Sequence, residues 1–400
     1  MIEKVKLGEK VEFQRGYDLT HDNMNGGPYP VVGSTSIIGY HDAFKAENGI
    51  TLGRSGTVGI PQLINGKYWP HNTSLFTTDL KGNNREYLFY LLVNLHIDKL
   101  KTGSNIPTLN RNDIYPLEVP FETDVLEQKK IAGVLSTIDS KIANNTAICS
   151  ELEAMAKLLY DYWFVQFDFP DENGKPYKSS GGKMVWNEEL KREIPTGWEA
   201  VPFEKCITSI NTGLNPRDNF KLNIGGNIKY LTVKNLTTDG SIDFSACDMI
   251  DEEARSIVHR RSDIAVGDIL FASISPLGRC HVITDEPTDW DINESVFSIR
   301  PNYQNMTSNF LYMTFMSDAF VKKAEGSSTG SVFKGIRIAE LQALKTILPP
   351  KDTLDKFEEE IQSVFTMKSS LFDENQQLKS LRDFLLPMLM NGQVKVKETV

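Results

Sequence analysis

The segment Asn72–Phe76 reads Asn-Thr-Ser-Leu-Phe, and about 220 residues later Asn293–Phe297 reads Asn-Glu-Ser-Val-Phe. Further matching strings stand around the two copies in the same order: Gly49–Leu52 with Gly267–Leu270 upstream, and Tyr87–Tyr90 with Phe310–Met313 downstream. Ordered matches at a nearly constant offset indicate a duplicated module. The module is too long to be a solenoid repeat, since those are about 20–50 residues long.

The bulk composition is that of a soluble globular protein. The 400 residues are 40% hydrophobic and 24% charged, and this length accommodates two or three domains. No apolar run reaches the length of a membrane span, and the first residues lack the apolar segment of a secretion signal. We therefore expect a cytoplasmic protein that does not contact a membrane.

Cysteine and histidine usage argues against a metal centre. Cys149, Cys206, Cys247 and Cys280 lie far apart, none of them in a Cys-x-x-Cys pair, and the six histidines are scattered. We interpret the cysteines as reduced thiols with structural roles, and we expect no metal site on this chain.

Each module has the pattern of a strand-rich, mixed α/β domain. Short β-prone runs cut by Gly, Asn and Pro occur at 29–33, 50–52 and 74–77, and again at 229–233 and 267–271. Apolar residues at helical spacing predict a helix over 86–101.

Two stretches of the chain carry a heptad pattern, which is the seam of a coiled coil. The first starts at Ile131, and the second follows Pro350 and is flanked by Leu381. We predict two long helices that pair in antiparallel fashion through Ile131, Leu135, Ile138, Ile142, Asn145, Leu152 and Leu159 of the first and Phe357, Val364, Leu371, Leu378 and Leu385 of the second.

Asn145 is a polar residue inside the first seam, and two interpretations of it stay open. It is either a tolerated polar residue or a key for helix register, since a buried Asn costs stability but penalises misalignment.

The predicted fold class is α+β, with two tandem mixed α/β domains, each followed by a long helix. The segments are a first module at 1–120, a helix at 121–165, a polar surface linker at 166–194, a second module at 195–350, a second helix at 351–392 and a tail at 393–400.

Catalytic motifs are missing from the sequence. It contains no Gly-x-x-x-x-Gly-Lys-Ser/Thr phosphate loop, no His-Glu-x-x-His and no Gly-x-Ser-x-Gly. Gly53–Gly59 is glycine-rich but lacks the Gly-x-Gly-x-x-Gly spacing of a dinucleotide loop. We therefore predict a non-catalytic protein, whose Gly53–Gly59 loop could still present Arg54, Ser55 and Thr57 to a ligand.

Several strings resemble the specificity subunit of type I restriction-modification systems. They are Pro30–Ser34, Thr51–Gly59, Ile106–Asn110, Leu126–Ala132, Pro195–Trp198 and Leu381–Pro387, which together span nearly the whole chain. Two departures occur. Phe357–Glu360 replaces an expected Glu-Gln pair, and the second module lacks the Arg-x-Gly-Thr string of the first, so the two modules should read different sequences.

The resemblance implies a division of labour between this chain and its partners. Each module would be a target-recognition domain that reads one half of a bipartite, asymmetric site in double-stranded DNA. The paired helices would act as a ruler and as the dock for two methyltransferase subunits, and nuclease-translocase subunits would complete the enzyme. S-adenosylmethionine, ATP and Mg²⁺ would belong to those partners, with no cofactor on this chain.

Candidate DNA-binding residues are cationic or hydrogen-bonding side chains in polar or glycine-rich stretches. In the first module they are Arg15, Arg54, Ser55, Thr57, Lys67, Asn105 and Arg111. In the second they are Arg217, Lys221, Lys234, Asn235, Ser273, Ser275, Arg279, Lys334 and Arg337.

The net charge of −10 keeps other readings open, because proteins that grip nucleic acid by bulk electrostatics are usually basic. One alternative is a duplicated scaffold or adaptor that does not bind nucleic acid. The other is a DNA methyltransferase or nuclease in its own right, which the missing motifs disfavour.

Overall fold

The computed structural model describes residues 2–99, 108–327 and 335–397. Internal contacts divide the chain into two compact units, one formed by Met1–Asn144 with Glu374–Val400 and the other by Asn145–Asp373. Each unit contains one of the duplicated modules and a part of each long helix.

The first module combines short strands with short helices. Its strands are β1 (Ile2–Lys6), β2 (Glu12–Arg15), β3 (Tyr29–Val32), β4 (Ile37–His41), β5 (Ala46–Glu47), β6 (Ile50–Gly53), β7 (Pro61–Leu63), β8 (Lys67–Pro70), β9 (Ser74–Asp79) and β10 (Glu118–Glu122). Its helices are α1 (Arg85–Asn94) and α2 (Arg111–Ile114).

These strands form three sheets. One is antiparallel in the order β2-β9-β6-β7, another has the order β4-β3-β8-β5 with β3 and β8 parallel, and β1 pairs with β10. Leu7, Phe13, Leu52 and Leu88 are fully or almost fully buried in the module's core.

Helix α1 is shorter than the sequence predicts. The Asn84 side chain caps its start by accepting a hydrogen bond from the Tyr87 N–H at 2.8 Å. The helix ends at Asn94, and His96 has a left-handed backbone with φ of +46°, which no helix continues through. The prediction of a helix through 101 is therefore wrong within the described residues, which stop at 99 before the next gap.

The first long helix is α3 (Val125–Tyr160), which continues into a π-helical turn at Asp161–Val165. Its 36 residues correspond to roughly 54 Å at 1.5 Å per residue. A hairpin of β11 (Met184–Asn187) and β12 (Arg192–Pro195) follows.

The segment after α3 is not the polar surface linker that the sequence predicts. Phe167 and Phe169 are buried, and their rings pack on Trp198 with centroids 5.4 and 5.0 Å away. Asp168 is buried as well and accepts hydrogen bonds from the Ser179 N–H and hydroxyl. The prediction followed the many turn-forming residues of this segment and gave too little weight to its aromatic residues, which anchor the segment to the core of the second unit.

The second module repeats the plan of the first. Its strands are β13 (Glu199–Pro202), β14 (Ile207–Thr212), β15 (Ile228–Leu231), β16 (Asp248–Ile250), β17 (Ile269–Ala272), β18 (Cys280–Val282), β19 (Trp290–Ile292), β20 (Val296–Pro301) and β21 (Lys345–Leu348). Its helices are α4 (Glu252–Ser262), α5 (Ser308–Met316), α6 (Asp318–Ser327) and α7 (Ile338–Ala343), and α8 (Lys351–Met390) follows the module.

The strand order confirms the duplication. The sheet β14-β20-β17-β18 corresponds to β2-β9-β6-β7, and β13-β21 corresponds to β1-β10. The sheet β16-β15-β19 contains a parallel pair, β15 and β19, which matches the parallel pair β3 and β8. Helix α4 has no counterpart between β4 and β6 of the first module.

In the first unit, α3 and α8 run antiparallel and attach to the module through a half-buried polar contact. The Tyr90 hydroxyl of α1 donates to Asp139 at 2.7 Å, and Arg382 of α8 donates to the other oxygen of Asp139 at 2.9 Å. Lys141 pairs with Glu374 at 3.3 Å, so α8 numbers fall as α3 numbers rise. Burial, reinforced by Asp139, raises the pKa of Tyr90, which therefore remains a neutral donor.

In the second unit, the same two helices also run antiparallel, but a different polar contact attaches the module. Lys368 of α8 forms an ion pair with Glu153 of α3 and donates to the Asp239 carbonyl of the module at 2.7 Å. Farther along, Trp163 packs on Phe357 with ring centroids 5.5 Å apart. Burial raises the pKa of Glu153, and the neighbouring ammonium opposes that rise.

The seam residues differ in burial along the helices. Ile131, Leu135, Ile138, Asn145, Phe357 and Val364 are buried, whereas Ile142, Leu152, Leu159, Leu371, Leu378 and Leu385 are half-buried. Leu381 is 46% exposed, so it does not flank the seam as the heptad pattern suggested. The most buried positions share a core with the modules: Ile131 and Leu135 in the first unit, Phe357 in the second.

All four cysteines are free thiols. Cys206 and Cys280 are buried, and burial raises the pKa of Cys206 to about 12. Among the described residues, no helix combines the length and apolar character that crossing a membrane requires.

Replacing Tyr90 by Phe should lower the free energy of unfolding by about 1–3 kcal/mol, because a half-buried carboxylate loses one of its donors. Urea denaturation of the Tyr90→Phe chain measures this. Tyr40→Phe is the matched control, since the Tyr40 side chain is 48% exposed. Equal stability of the two variants would contradict the role assigned to Tyr90.

His281 should make the stability of the second unit depend on pH. Its Nδ1 lies 2.8 Å from the Gly240 carbonyl, and burial lowers its pKa to about 4, below the value of about 6.5 for an unfolded chain. Between these values the unfolded chain binds a proton that the folded chain does not, so stability present above pH 6.5 is lost as pH falls toward 4.

We expect that loss to reach roughly 1–3 kcal/mol, and to be absent in His281→Asn, which keeps a donor for Gly240 and does not titrate. Urea denaturation of both chains at pH 7 and pH 4.5 measures it. Parallel losses in the two chains would refute the assignment to His281.

Candidate nucleic-acid interface

The glycine-rich loop after β6 is a tight turn whose glycines are required by geometry. The Gly59 N–H donates to the Gly53 carbonyl at 2.8 Å and closes the loop. A Cβ on Gly53 would lie 2.2 Å from the Thr57 carbonyl oxygen, and Gly59 has a φ of +78°. The loop therefore presents Arg54, Ser55 and Thr57 on a rigid backbone.

Arg54 has its backbone held on both sides. Its N–H donates to the Thr73 carbonyl at 2.8 Å, and its own carbonyl accepts from the Leu109 N–H at 2.8 Å. The side chain is half-buried, and within the described ranges its guanidinium has no hydrogen-bonded or ion-pair partner. A fixed backbone that carries a free guanidinium fits the recognition of an anion or of a base edge.

The strand order places two further arginines at the same end of the sheet as the Arg54 loop. Arg15 ends β2, and the next residue, Gly16, donates its N–H to the Ser74 carbonyl at 3.0 Å. Arg111 starts α2, two residues after Leu109, and donates to the Phe13 carbonyl at 3.3 Å. Arg15 also pairs with Asp18 at 3.0 Å, and both side chains are mostly exposed.

Lys67 does not lie at this end of the sheet. It begins β8, whereas the Arg54 loop is bonded to residues beyond the end of that strand. Its ammonium lies over the Phe44 ring, 4.5 Å from the centroid. Asn105 lies outside the described residues.

The second module repeats the backbone pattern of the Arg54 loop at Ser273. The Ser273 N–H donates to the Ser295 carbonyl at 3.1 Å, and its carbonyl accepts from the Ile336 N–H at 2.8 Å. The Ser273 hydroxyl also donates to Ser295, at 2.7 Å, and the residue is 6% exposed. The position that carries a free guanidinium in the first module therefore carries a buried hydroxyl in the second.

The Asn235 side chain also forms its hydrogen bonds within its own module. Its Oδ1 accepts from the Thr232 N–H at 2.9 Å, its Nδ2 donates to the Asp243 carbonyl at 3.0 Å, and the residue is 4% exposed. Asn235 thus holds its own turn together. Because neither Asn235 nor Ser273 faces solvent, we leave both out of the interface proposed below.

Arg279 links two loops of the second module. Its Nη1 donates to the Leu236 carbonyl at 3.2 Å and its Nε to the Pro276 carbonyl at 3.3 Å. Burial lowers the pKa of the guanidinium. Ser275, just before Pro276, is exposed at the tip of the same loop.

Four of the remaining candidates of the second module are exposed cations. Arg337 directly follows Ile336 and caps α7, so it lies beside the Ser273 loop. Arg217 and Lys221 lie on the loop after β14, where Phe220 packs on the core beneath α4. Lys234 is exposed next to the Asn235 turn, and Lys334 lies outside the described residues.

The sequence analysis missed Arg260 and Arg261 of α4. The Arg261 Nε donates to the Thr212 hydroxyl at 3.2 Å, and Thr212 ends the strand that leads into the Arg217 loop. The run His259–Arg261 was visible in the sequence, but cations at a helix C-terminus are ordinarily explained by the helix dipole. Only the packing of α4 places Arg261 beside the start of the loop that carries Arg217.

Comparison with known proteins shows which proteins this chain resembles. Residues 2–154 match the family model described as the type I restriction modification DNA specificity domain. The chain is 26% identical over 328 residues to the type I restriction enzyme MjaIX specificity subunit of Methanocaldococcus jannaschii, covering 78% of this chain and 70% of the relative.

Two other comparisons agree. The HindI specificity subunit of Haemophilus influenzae is 22% identical over 365 residues, with 77% of each chain covered. The crystal structure of the type I restriction-modification S subunit from M. genitalium superimposes with a TM-score of 0.59 at 16% identity, covering 100% of this chain and 97% of that one, and so shares the fold. The resemblance drawn from the sequence is confirmed: the chain is similar to type I restriction-modification specificity subunits over most of its length.

Replacing Asn235 by Ala should lower the free energy of unfolding by about 1–3 kcal/mol, because buried backbone groups lose their partners. Lys234→Ala, one residue away and exposed, should change it by less than about 0.5 kcal/mol. Urea denaturation compares the two. A neutral Asn235→Ala would return Asn235 to the list of candidate DNA contacts.

Proposed function

We propose that this chain is the non-catalytic DNA-recognition subunit of a type I restriction-modification enzyme. Each module reads one half of a bipartite, asymmetric site in double-stranded DNA. The two modules read different sequences, because the position of Arg54 in the first is taken by Ser273 in the second.

This proposal rests on the loop that follows β6 in the first module and is repeated after β17 in the second. In each module a loop residue donates its N–H to the residue before the central strand and accepts from a segment ahead of a short helix. The duplication thus repeats a possible binding loop as well as a core. Two such loops, one in each module, fit a DNA site with two halves.

The contacts fall into two kinds. Arg54 is the candidate for a base edge, since a bidentate guanidinium pairs with guanine O6 and N7. Arg15 and Arg111 on the first module, and Arg217, Lys221, Arg260, Arg261 and Arg337 on the second, are candidates for phosphate contacts, which position the protein without reading sequence.

The net charge of −10 bears on how DNA is held. A chain this acidic does not attract DNA by its overall field, so binding depends on local arginines and on basic partners. We assign docking of two methyltransferase subunits to the paired helices α3 and α8, with nuclease-translocase subunits joining them. We assign S-adenosylmethionine, ATP and Mg²⁺ to those partners because the family resemblance implies it, and the lack of a phosphate-binding loop motif in this sequence agrees with that assignment.

Replacing Arg54 by Ala, in the complex with methyltransferase subunits, should weaken binding of the cognate duplex by about 10–100-fold, corresponding to about 1–3 kcal/mol. The loss should track one half-site only. Arg54→Lys is the matched control: it keeps the charge but not the bidentate geometry. It should behave like Ala if Arg54 reads a base, and like the parent if Arg54 holds a phosphate.

Titration of the complex with labelled cognate, half-scrambled and random duplexes separates these outcomes. Equal losses on all three duplexes would make Arg54 a general phosphate contact. Absence of any site preference in the parent complex would favour the adaptor reading instead.

A further inference from the structure

Strand β4 is an exposed apolar edge of the first module. It lies at the outside of the sheet β4-β3-β8-β5, and its residues Ile37, Ile38 and Tyr40 are 51%, 40% and 48% exposed. Edge strands are normally protected by charge, proline or a covering element, because their free backbone groups and apolar side chains invite association. An apolar edge in this position therefore indicates a surface with a binding role.

A β-bulge explains why two adjacent isoleucines both face solvent. In the pairing with β3, Gly39 lies opposite Val31 and Ile37 lies opposite Val32, which leaves Ile38 as the extra residue. In a regular strand, neighbouring side chains point to opposite faces, but a bulge re-aims one of them. Ile38 packs over the turn, and a Cβ on Gly33 would lie 2.8 Å from its Cγ2.

The tip of this hairpin is fixed to the Arg54 loop. The Ser34 hydroxyl lies 2.7 Å from the Ser55 carbonyl and 2.9 Å from the Thr73 carbonyl. From the other side, the Gln62 side chain donates to the Gly33 carbonyl at 3.0 Å. The isoleucines and Arg54 are thus parts of one rigid surface within the first unit.

The surroundings of the isoleucines favour DNA over a protein partner. Arg54 supplies a cation without a protein acceptor in the described ranges, and the Lys45 ammonium lies 5.2 Å from the Trp69 ring centroid near the base of the hairpin. Asp42, an acidic residue near them, lies 2.7 Å from the His41 Nδ1. A narrow β-ribbon also fits the major groove, where the 5-methyl group of thymine is the apolar feature.

We propose that Ile37 and Ile38 read thymine by contacting its 5-methyl group, in the half-site recognised by the first module and next to the base contacted by Arg54. This inference rests on the proposed function and adds a specificity determinant to it. The bulge serves to present two branched side chains at the same edge, where a regular strand would present one.

The test removes single methyl groups from DNA. In the complex with methyltransferase subunits, each thymine of the first-module half-site is replaced in turn by deoxyuridine, which changes nothing else. At least one replacement should weaken binding about fourfold, the value for one buried carbon group. The same replacement should have no effect on a complex carrying Ile37→Ala and Ile38→Ala, because the methyl contact is already lost.

Two controls make the result specific. Val185→Ala removes an apolar side chain, 44% exposed, from the β11–β12 hairpin outside either module, and should retain the fourfold sensitivity. Deoxyuridine in the half-site of the second module should affect the parent and the Ile37/Ile38 variant equally.

Three results would overturn the inference while leaving the proposed function intact: a half-site without thymine, a parent complex that is indifferent to every replacement, or an isoleucine variant that stays fourfold sensitive. A parent complex that binds no duplex selectively would instead remove the proposed function, and the inference with it. Because the key measurement changes the DNA and uses the parent protein, it does not depend on the variants folding.

Discussion

The carbonyl oxygen of Thr73 is the contact on which the recognition surface of the first module depends. It accepts from the Arg54 N–H at 2.8 Å and lies 2.9 Å from the Ser34 hydroxyl, so it joins the glycine-rich loop to the tip of the β3–β4 hairpin. Backbone N–H and C=O groups beyond the ends of strands still need hydrogen-bond partners. Here the groups of the loop bond to the backbone just before β9. The loop, the hairpin and the start of β9 consequently behave as one body.

This arrangement also accounts for how the two modules diverged. The carbonyl of Ser295, which directly precedes β20 as Thr73 precedes β9, accepts from the Ser273 N–H at 3.1 Å, so the backbone arrangement persists in the second module. Side chains on such a frame can change at little cost to folding, because backbone hydrogen bonds carry the geometry. The second module has a buried hydroxyl at that position and adds α4, whose arginines lie beside the Arg217 loop. The two modules therefore share the backbone hydrogen bonds of this loop but differ in the side chains that the loop carries.

Attachment of each module to the helices is a separate constraint. In the first unit a neutral tyrosine donates to a carboxylate shared with Arg382. In the second, Lys368 bridges Glu153 and the Asp239 carbonyl. Half-buried charged contacts of this kind are directional, so they orient a module more strictly than apolar packing alone. A reader of a split site needs that, because an error in orientation moves every contact on the DNA.

The sequence by itself determined the duplication, the positions of β3, β6 and β9, and the two long helices, because strand and heptad periodicities are local patterns that survive without tertiary context. It also singled out the Arg54 loop, whose glycines mark a tight turn. Only the tertiary structure decided which candidates share a surface. Arg15 and Arg54 lie at the same end of one sheet because β2 and β6 flank β9, and Arg111 lies near them because Leu109 bonds to the Arg54 carbonyl. Lys67, in contrast, lies at the far end of β8, and the Asn235 side chain bonds within its own turn. The exposure of both Ile37 and Ile38 likewise depends on the bulge in the β3–β4 pairing. Strand order and register are set by contacts between residues distant in the chain, and no local pattern encodes them.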